Sequence, residues 1–268
     1  MILIDGEPGD SIPVTDSAVV RGDGCFEGIR VYESVPFAVG LHLDRLARSA
    51  KLLDLELPDR SLLESWVETV ARADPDSAIR ILLTRGGSVP GATEGGRCIV
   101  FSHPVGDHPS SLRLGTVSAP WHAAGRKWDL MGAKTLSYAP NMAASRTATA
   151  SGFDDAILLS DDGIILELPT SSLAWVVDGV VETPELGLGI LESITRGIVL
   201  SELRSHGYQV VEGRWTVDRL ATAQECLVMS SVREIVPVTA VDSLRFQPGP
   251  LTERVVDWYS ALTRSDHE

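Results

Sequence analysis

Lysine is scarce in this chain, and the scarcity singles out one position. Of 23 basic residues only Lys51, Lys127 and Lys134 are lysine. Arginine keeps its charge, whereas an amine in an apolar pocket can lose its proton and act as a nucleophile or form a Schiff base. Lys51 falls in a helical pattern with Asp44, Arg45 and Arg48, and Lys127 follows Arg126 in a Gly-flanked loop, so both read as solvated. Lys134 lies in Met131-Gly-Ala-Lys-Thr-Leu-Ser-Tyr-Ala-Pro-Asn141, an uncharged and largely apolar stretch. It is either a reactive amine or a helix-start lysine whose head snorkels to water.

Two further features suit a partner for that amine. Ser193-Ile-Thr-Arg196 opens a helical pattern, offering free backbone N–H groups, the Thr195 hydroxyl and the positive helix end to a phosphate. A plain Ser193 N-cap explains the same motif. Glu167 ends an apolar run and is followed by Pro169-Thr-Ser-Ser172; it either solvates there or meets a cationic ring nitrogen. Amine, phosphate site and ring-nitrogen acid form the recognition set of pyridoxal phosphate, whose chemistry a protein positions and tunes. Other chemistries find less. There is no Gly-x-Gly-x-x-Gly turn, Walker-type Gly-Lys-Ser/Thr or Gly-x-Ser-x-Gly elbow. The histidines (His42, His103, His108, His122, His206, His267) are scattered, and Cys25, Cys98 and Cys226 lack metal spacing, so no metal is expected.

The elements that must hold these residues follow from composition and periodicity. A chain of 268 residues, 44% hydrophobic and 22% charged, fits a soluble globular protein of one large or two modest domains. Its net charge of −14 argues against a nucleic-acid surface. No apolar run approaches a membrane span. Early acids (Asp5, Glu7, Asp10) argue against a signal peptide, and three dispersed cysteines suggest a reduced, cytoplasmic protein. A strand is expected from Cys25, with helices over 41–55 and 59–73, the latter with Ser61 and Glu64 as a capping box. Strands over 78–85 and 97–102 flank the Gly-rich loop 86–96. A Pro-, His- and Ser-rich passage at 105–111 separates domains at 1–104 and 112–268. The second half reads as a strand over 112–119, the Lys134 loop, a helix over 141–151 and two hairpins, 156–168 and 173–183. Asp178-Gly179 is a type I′ turn signature. Helices at 193–206, 217–223 and 251–264 alternate with strands at 209–212 and 226–229.

In order along the chain, these motifs resemble the class IV aminotransferases, pyridoxal-phosphate enzymes of fold type IV. The resemblance rests on Gly22-Asp-Gly-Cys-Phe-Glu-Gly-Ile-Arg-Val-Tyr32, His42-Leu-Asp-Arg-Leu46, Lys134-Thr-Leu-Ser-Tyr138 with Asn141, Gly152-Phe-Asp-Asp-Ala156, Glu167, Thr183-Pro184, Ile194-Thr-Arg196 and Pro237-Val238. It implies an α+β fold with a small N-terminal α/β domain, a larger β-barrel-like C-terminal domain carrying helices, and a homodimer. It also implies that Lys134 carries the cofactor as a Schiff base and shuttles a proton. Arg45, the Ile194 and Thr195 backbone and the Ser231 hydroxyl would hold the phosphate. Glu167 would pair with the ring nitrogen, Leu191 would pack on one ring face, and Tyr138 would lie near the cofactor. Ser193 replaces the family's usual Gly, and Leu168-Pro-Thr-Ser-Ser172 replaces its Gly-Ser-rich run ending in Asn.

The substrate pocket departs further. Well-known D-amino acid aminotransferases trap the α-carboxylate with Tyr, Arg and His, where this chain has Phe26, Gly91 and Thr93. Arg30 and Arg85 are the candidates to replace that trap, with Phe26 and Val232 lining the substrate; the alternative is that one of the arginines holds a structural acid such as Glu27 or Glu33. Arg80 reads as an outward strand residue. The resemblance implies a transaminase acting on an amino acid, of the D series, and a 2-oxo acid such as 2-oxoglutarate or pyruvate. Aminodeoxychorismate lyase is the alternative, with a branched-chain aminotransferase or a non-catalytic homologue behind it.

Overall fold

The computed structural model describes residues 1–87, 89–91 and 95–265. Its elements run β1 (Ile2–Ile4), β2 (Glu7–Pro8), α1 (Ser17–Arg21), β3 (Gly24–Tyr32), β4 (Val35–Pro36), α2 (Val39–Leu52), α3 (Arg60–Ala73), β5 (Ser77–Thr84), β6 (Cys98–His103) and β7 (Leu112–Ser118). There follow α4 (Ala139–Ala150), β8 (Asp155–Leu159), β9 (Ser172–Val177), β10 (Val180–Pro184), α5 (Ile194–Ser205), β11 (Val210–Gly213), β12 (Glu225–Ser230), β13 (Glu234–Val241), β14 (Leu244–Arg245) and α6 (Pro250–Ser265). The chain forms two compact units. The first holds residues 1–106, the segment Gly132–Tyr138 and the chain end from Thr263; the second holds Asp107–Met131 and Ala139–Leu262. The Lys134 segment, which chain order places in the second half, therefore clusters with the first unit.

The first unit is a six-stranded antiparallel sheet in the order β2-β1-β6-β5-β3-β4. Alternation along β3 sends Cys25, Glu27, Ile29 and Val31 to one face and Phe26, Gly28 and Arg30 to the other. The first face packs with α2 and α3, where Ile29, Val31 and Ile79 meet Leu43, Leu46 and Leu63. The expected capping box on α3 does not form. Asp59 occupies the N-cap without a side-chain bond, and Glu64 instead accepts from Arg60 Nε at 2.9 Å, one turn back on the helix.

The second unit is an eight-stranded mixed sheet, β11-β10-β9-β12-β13-β7-β8, with β14 paired to β13. Trp175, Ile157, Leu114 and Val228 are among its fully buried residues. The β9–β10 turn fits its sequence: Asp178 and Gly179 have φ of 50° and 78°, the positive values that a type I′ turn requires. The hairpin expected at 156–168 is only half realised. Its second arm makes isolated bridges to Leu159 and Thr216 instead of a strand. Strand β13 is an addition, hidden from a sequence reading by Pro237, which pairs opposite Leu227. Two sheets with helices are the α+β arrangement expected. Among the described residues, no helix is long and apolar enough to cross a membrane, and no group of three or more His, Cys, Asp or Glu could hold a metal ion.

One buried carboxylate ties the last helix to the sheet. Glu225 of β12 accepts from the backbone N–H groups of Leu251 (3.2 Å) and Thr252 (2.7 Å) and from the Thr252 hydroxyl (2.7 Å), which caps α6 from outside the helix. A Cβ on Gly249 would lie 2.3 Å from the Glu225 carboxyl carbon, so glycine is needed to admit the cap. Glu225→Ala should destabilise the protein by about 2 kcal/mol, because it leaves buried donors unpaired. Urea denaturation should show a lower midpoint; a loss under about 0.5 kcal/mol would rule out this capping role.

Candidate active site

Lys134 is placed by backbone pairing with the first turns of β3. Phe26 N donates to Lys134 O at 3.0 Å and Leu136 N donates to Gly24 O at 2.8 Å, around a bridge between Cys25 and Thr135. The Lys134 N–H donates to Ser49 Oγ of α2 at 3.1 Å, and Ser137 Oγ donates to Gly22 O at 3.0 Å. Gly24 is needed for this approach: a Cβ there would lie 2.3 Å from Leu83 O and 2.7 Å from Leu136 Cδ1. The result stands the Lys134 amine over the Phe26 ring, 4.4 Å from its centroid, with Nζ 3.4 Å from the Tyr138 hydroxyl. Tyr138 meets Phe26 edge-on, centroids 5.2 Å apart. The amine is partly shielded in an aromatic setting, as a reactive lysine requires.

On the helix side of β3, three polar groups are buried together. Glu27 accepts from Arg45 Nε and Nη2, each at 2.7 Å, and lies 2.8 Å from His42 Nδ1. Burial alone would raise the Glu27 pKa, but Arg45 and His42 outweigh it and hold the carboxyl at about 2. Burial likewise holds the His42 pKa below the ordinary imidazole value, with Arg45 and Lys134 acting in the same direction and Glu27 against them. Glu27 is thus a permanent anion that fixes Arg45. This partnership was missed in the sequence, although Glu27 and Arg45 both stand in the quoted motifs. The signal available was a glutamate inside an otherwise apolar strand.

The candidate substrate arginines are engaged elsewhere. Arg30 donates from Nη1 to the Val31 and Ser77 carbonyls and from Nη2 to Asp76. It therefore holds a structural acid, though Asp76 and not Glu27 or Glu33. Arg85 clamps the half-buried Asp23 through Nε and Nη2 and bonds the Leu53 and Asp54 carbonyls beyond α2. Arg80, expected to face outward, instead lies half-buried with its guanidinium carbon 5.3 Å from the Phe26 centroid. Of the residues replacing the usual trap, Thr93 lies outside the described residues.

The second unit carries the remaining candidates. Glu167 is fixed by the Leu191 N–H, which lies 3.3 and 3.2 Å from its two oxygens, and His122 Nε2 is 3.8 Å away. Ser193 caps α5 by accepting from Arg196 N at 3.2 Å, so the Ile194 and Thr195 N–H groups keep the unpaired status of a first helical turn. The Ser171, Ser172 and Thr195 hydroxyls are buried without a hydrogen bond of ordinary geometry among the described residues; Tyr259 is near enough to Thr195 to feel its hydroxyl. Ser231 and Val232 form the turn between β12 and β13, with partial exposure.

A family model described as amino-transferase class IV matches residues 24–241. A putative branched-chain-amino-acid aminotransferase from Methanocaldococcus jannaschii is 32% identical over 270 residues, which cover 96% of this chain and 92% of the relative. A bifunctional aminodeoxychorismate lyase / D-amino acid transaminase from Mycobacterium tuberculosis is 32% identical, covering 99% of both chains. Among solved structures, the alpha-ketoglutarate- and PMP-bound form of a hypothetical aminotransferase from Mycobacterium tuberculosis superposes with a TM-score of 0.91 at 31% identity, covering 99% of each chain. A fold IV-transaminase from Curtobacterium pusillum gives 0.83 at 34% identity, covering 95% of this chain and 91% of its own. The chain belongs to the class IV aminotransferases. It is an enzyme of that pyridoxal-phosphate-dependent family, with the expected fold.

The residues present fit that cofactor. A shielded lysine amine, a fixed carboxylate, a capped helix start and unsatisfied buried hydroxyls are what an aldehyde, a ring nitrogen and a phosphate call for. The buried cluster also sets an acid limit. Glu27 and His42 both have folded-state pKa values below their ordinary ones, so each contributes stability that is complete above the ordinary value and is lost as pH falls. The His42 contribution fades below about 6.5 and that of Glu27 between 4.5 and about 2. His42→Gln should flatten the fall in melting temperature between about pH 7.5 and 5.5; a variant with the wild-type slope would show that His42 does not cause it.

Proposed function

We propose that this enzyme is a transaminase, moving an amino group between an amino acid of the D series and a 2-oxo acid such as 2-oxoglutarate or pyruvate. The observation that carries the reading is the Lys134 amine standing over Phe26 beside Tyr138. Bound pyridoxal phosphate supplies a ring that takes up the electron pair left when a bond at the substrate's α-carbon breaks. Lys134 attaches the cofactor and moves the proton at the α-carbon. Glu167, oriented by the Leu191 N–H, holds a proton on the ring nitrogen. The Ile194 and Thr195 N–H groups, the Thr195 and Ser231 hydroxyls and Arg45 take the phosphate charge. Glu27 and His42 keep Arg45 fixed.

The second reading is aminodeoxychorismate lyase, yielding 4-aminobenzoate and pyruvate. It is favoured by the Mycobacterium tuberculosis relative whose name carries both activities and by a Bacillus subtilis aminodeoxychorismate lyase 26% identical to this chain. Both activities need the same lysine and differ in the bond broken next. A homodimer is part of the proposal, supported by the exposed Val14, Val19 and Val20. The cytoplasm is the proposed location, supported by three buried free cysteines. The nearest tests are direct. Borohydride should fix the cofactor on the Lys134 peptide, and Lys134→Ala should lose at least about 1,000-fold in turnover. Offered D-alanine or D-glutamate with a 2-oxo acid, L-leucine with 2-oxoglutarate, and aminodeoxychorismate alone, the enzyme should aminate the 2-oxo acid from a D-amino acid. Aminobenzoate release without half-transamination by any amino acid would overturn the first reading in favour of the second.

A further inference from the structure

Arg80 carries a charge that no side chain among the described residues neutralises directly. It sits mid-strand in β5, in register with Gly28 of β3. Directly paired residues project to the same face, so Arg80 shares the Phe26 face, away from the helices. Its guanidinium carbon is 5.3 Å from the centroid of the ring over which the Lys134 amine stands at 4.4 Å. Gly28 makes the room: a Cβ there would lie 3.2 Å from Arg80 Nη1.

The contrast with its neighbours gives this position meaning. Arg30, Arg45 and Arg85 each hold a carboxylate, whereas the Arg80 guanidinium forms no hydrogen bond or ion pair among the described residues. A guanidinium has five donors in a planar fork that matches a carboxylate, and leaving them partly buried and unpaired costs free energy. Burial accordingly lowers the Arg80 pKa, with Tyr138 and Glu27 acting against it. Glu27 cannot serve as its partner, because it points to the opposite face and its oxygens are taken by Arg45 and His42. An arriving carboxylate would satisfy the fork, and Lys134 works on the carbon next to such a group.

We propose that Arg80 is the substrate anchor of this enzyme, its guanidinium pairing with the α-carboxylate of the amino acid or 2-oxo acid at the Phe26 ring beside Lys134. This rests on the Lys134-centred reading above and assigns to Arg80 the task expected of Arg30 and Arg85. The test loads wild type, Arg80→Gln and Arg80→Lys with pyridoxamine phosphate and compares pyruvate with propanal, a three-carbon carbonyl acceptor that has no carboxylate. For Arg80→Gln, kcat/KM should fall about 30-fold for pyruvate and less than about threefold for propanal, a charged hydrogen-bonded pair being lost in one case only. Arg80→Lys should recover part of the loss, with melting temperature and the visible band of the bound cofactor unchanged in both variants. Equal losses for the two acceptors, or none for pyruvate, would overturn the assignment. If no 2-oxo acid reacts even with wild type, the transaminase reading fails by itself. Arg80 is then judged by pyruvate release from aminodeoxychorismate, itself a carboxylate, where Arg80→Gln should raise KM about 30-fold and an unchanged KM would overturn it.

Discussion

The setting of the Lys134 amine depends on a short stretch of backbone pairing, the bonds that seat its segment against the start of β3. Strand β5 takes one side of that stretch of β3 and leaves the other as an open edge. An open edge offers unpaired N–H and C=O groups, and here residues 134–136 satisfy them. The lysine is therefore held by main-chain bonds while its side chain turns to the aromatic pair. A loop lysine whose backbone was unpaired would have to be ordered at each encounter, at an entropic cost of about 1–2 kcal/mol for each residue fixed. Gly24 permits the arrangement by leaving space between Leu83 and Leu136.

The two faces of the same sheet treat charge in opposite ways. On the helix face, Glu27, His42 and Arg45 are buried, and both His42 and Arg45 bond Glu27, which fixes the Arg45 guanidinium in place. Breaking such a cluster strands a charge without a partner, which makes it a rigid foundation for Arg45. On the other face, Lys134 and Arg80 lie at one aromatic ring, and the guanidinium has no such partner. Strand alternation makes this division possible, since successive residues of β3 serve structure and site in turn. Sequence separation hides it, because Arg80 and Phe26 lie on different strands.

In the second unit, local signals carried further. Ser193 caps α5 as its type suggests, and Asp178-Gly179 makes its turn. Glu167 sits at the end of a run that bridges without becoming a regular strand, and its orientation comes from the Leu191 N–H, 24 residues away. The α6 cap came from outside the helix altogether, from Glu225. Capping by a neighbour in sequence is readable; capping by a neighbour in space is not.

The sequence by itself determined the family, most element types and the α5 start, and singled out Lys134 as the candidate reactive amine, because these rest on residue type, periodicity and local spacing. Only the tertiary structure decided the fates of the arginines. Arg30 and Arg85, promising by type, are bound by Asp76 and Asp23, while Arg80 turns toward the lysine. An arginine's role depends on whether an acid lies within reach of its fork, and reach is a property of the folded sheet: Gly28, Phe26 and Arg80 become neighbours only when β3 and β5 align in register.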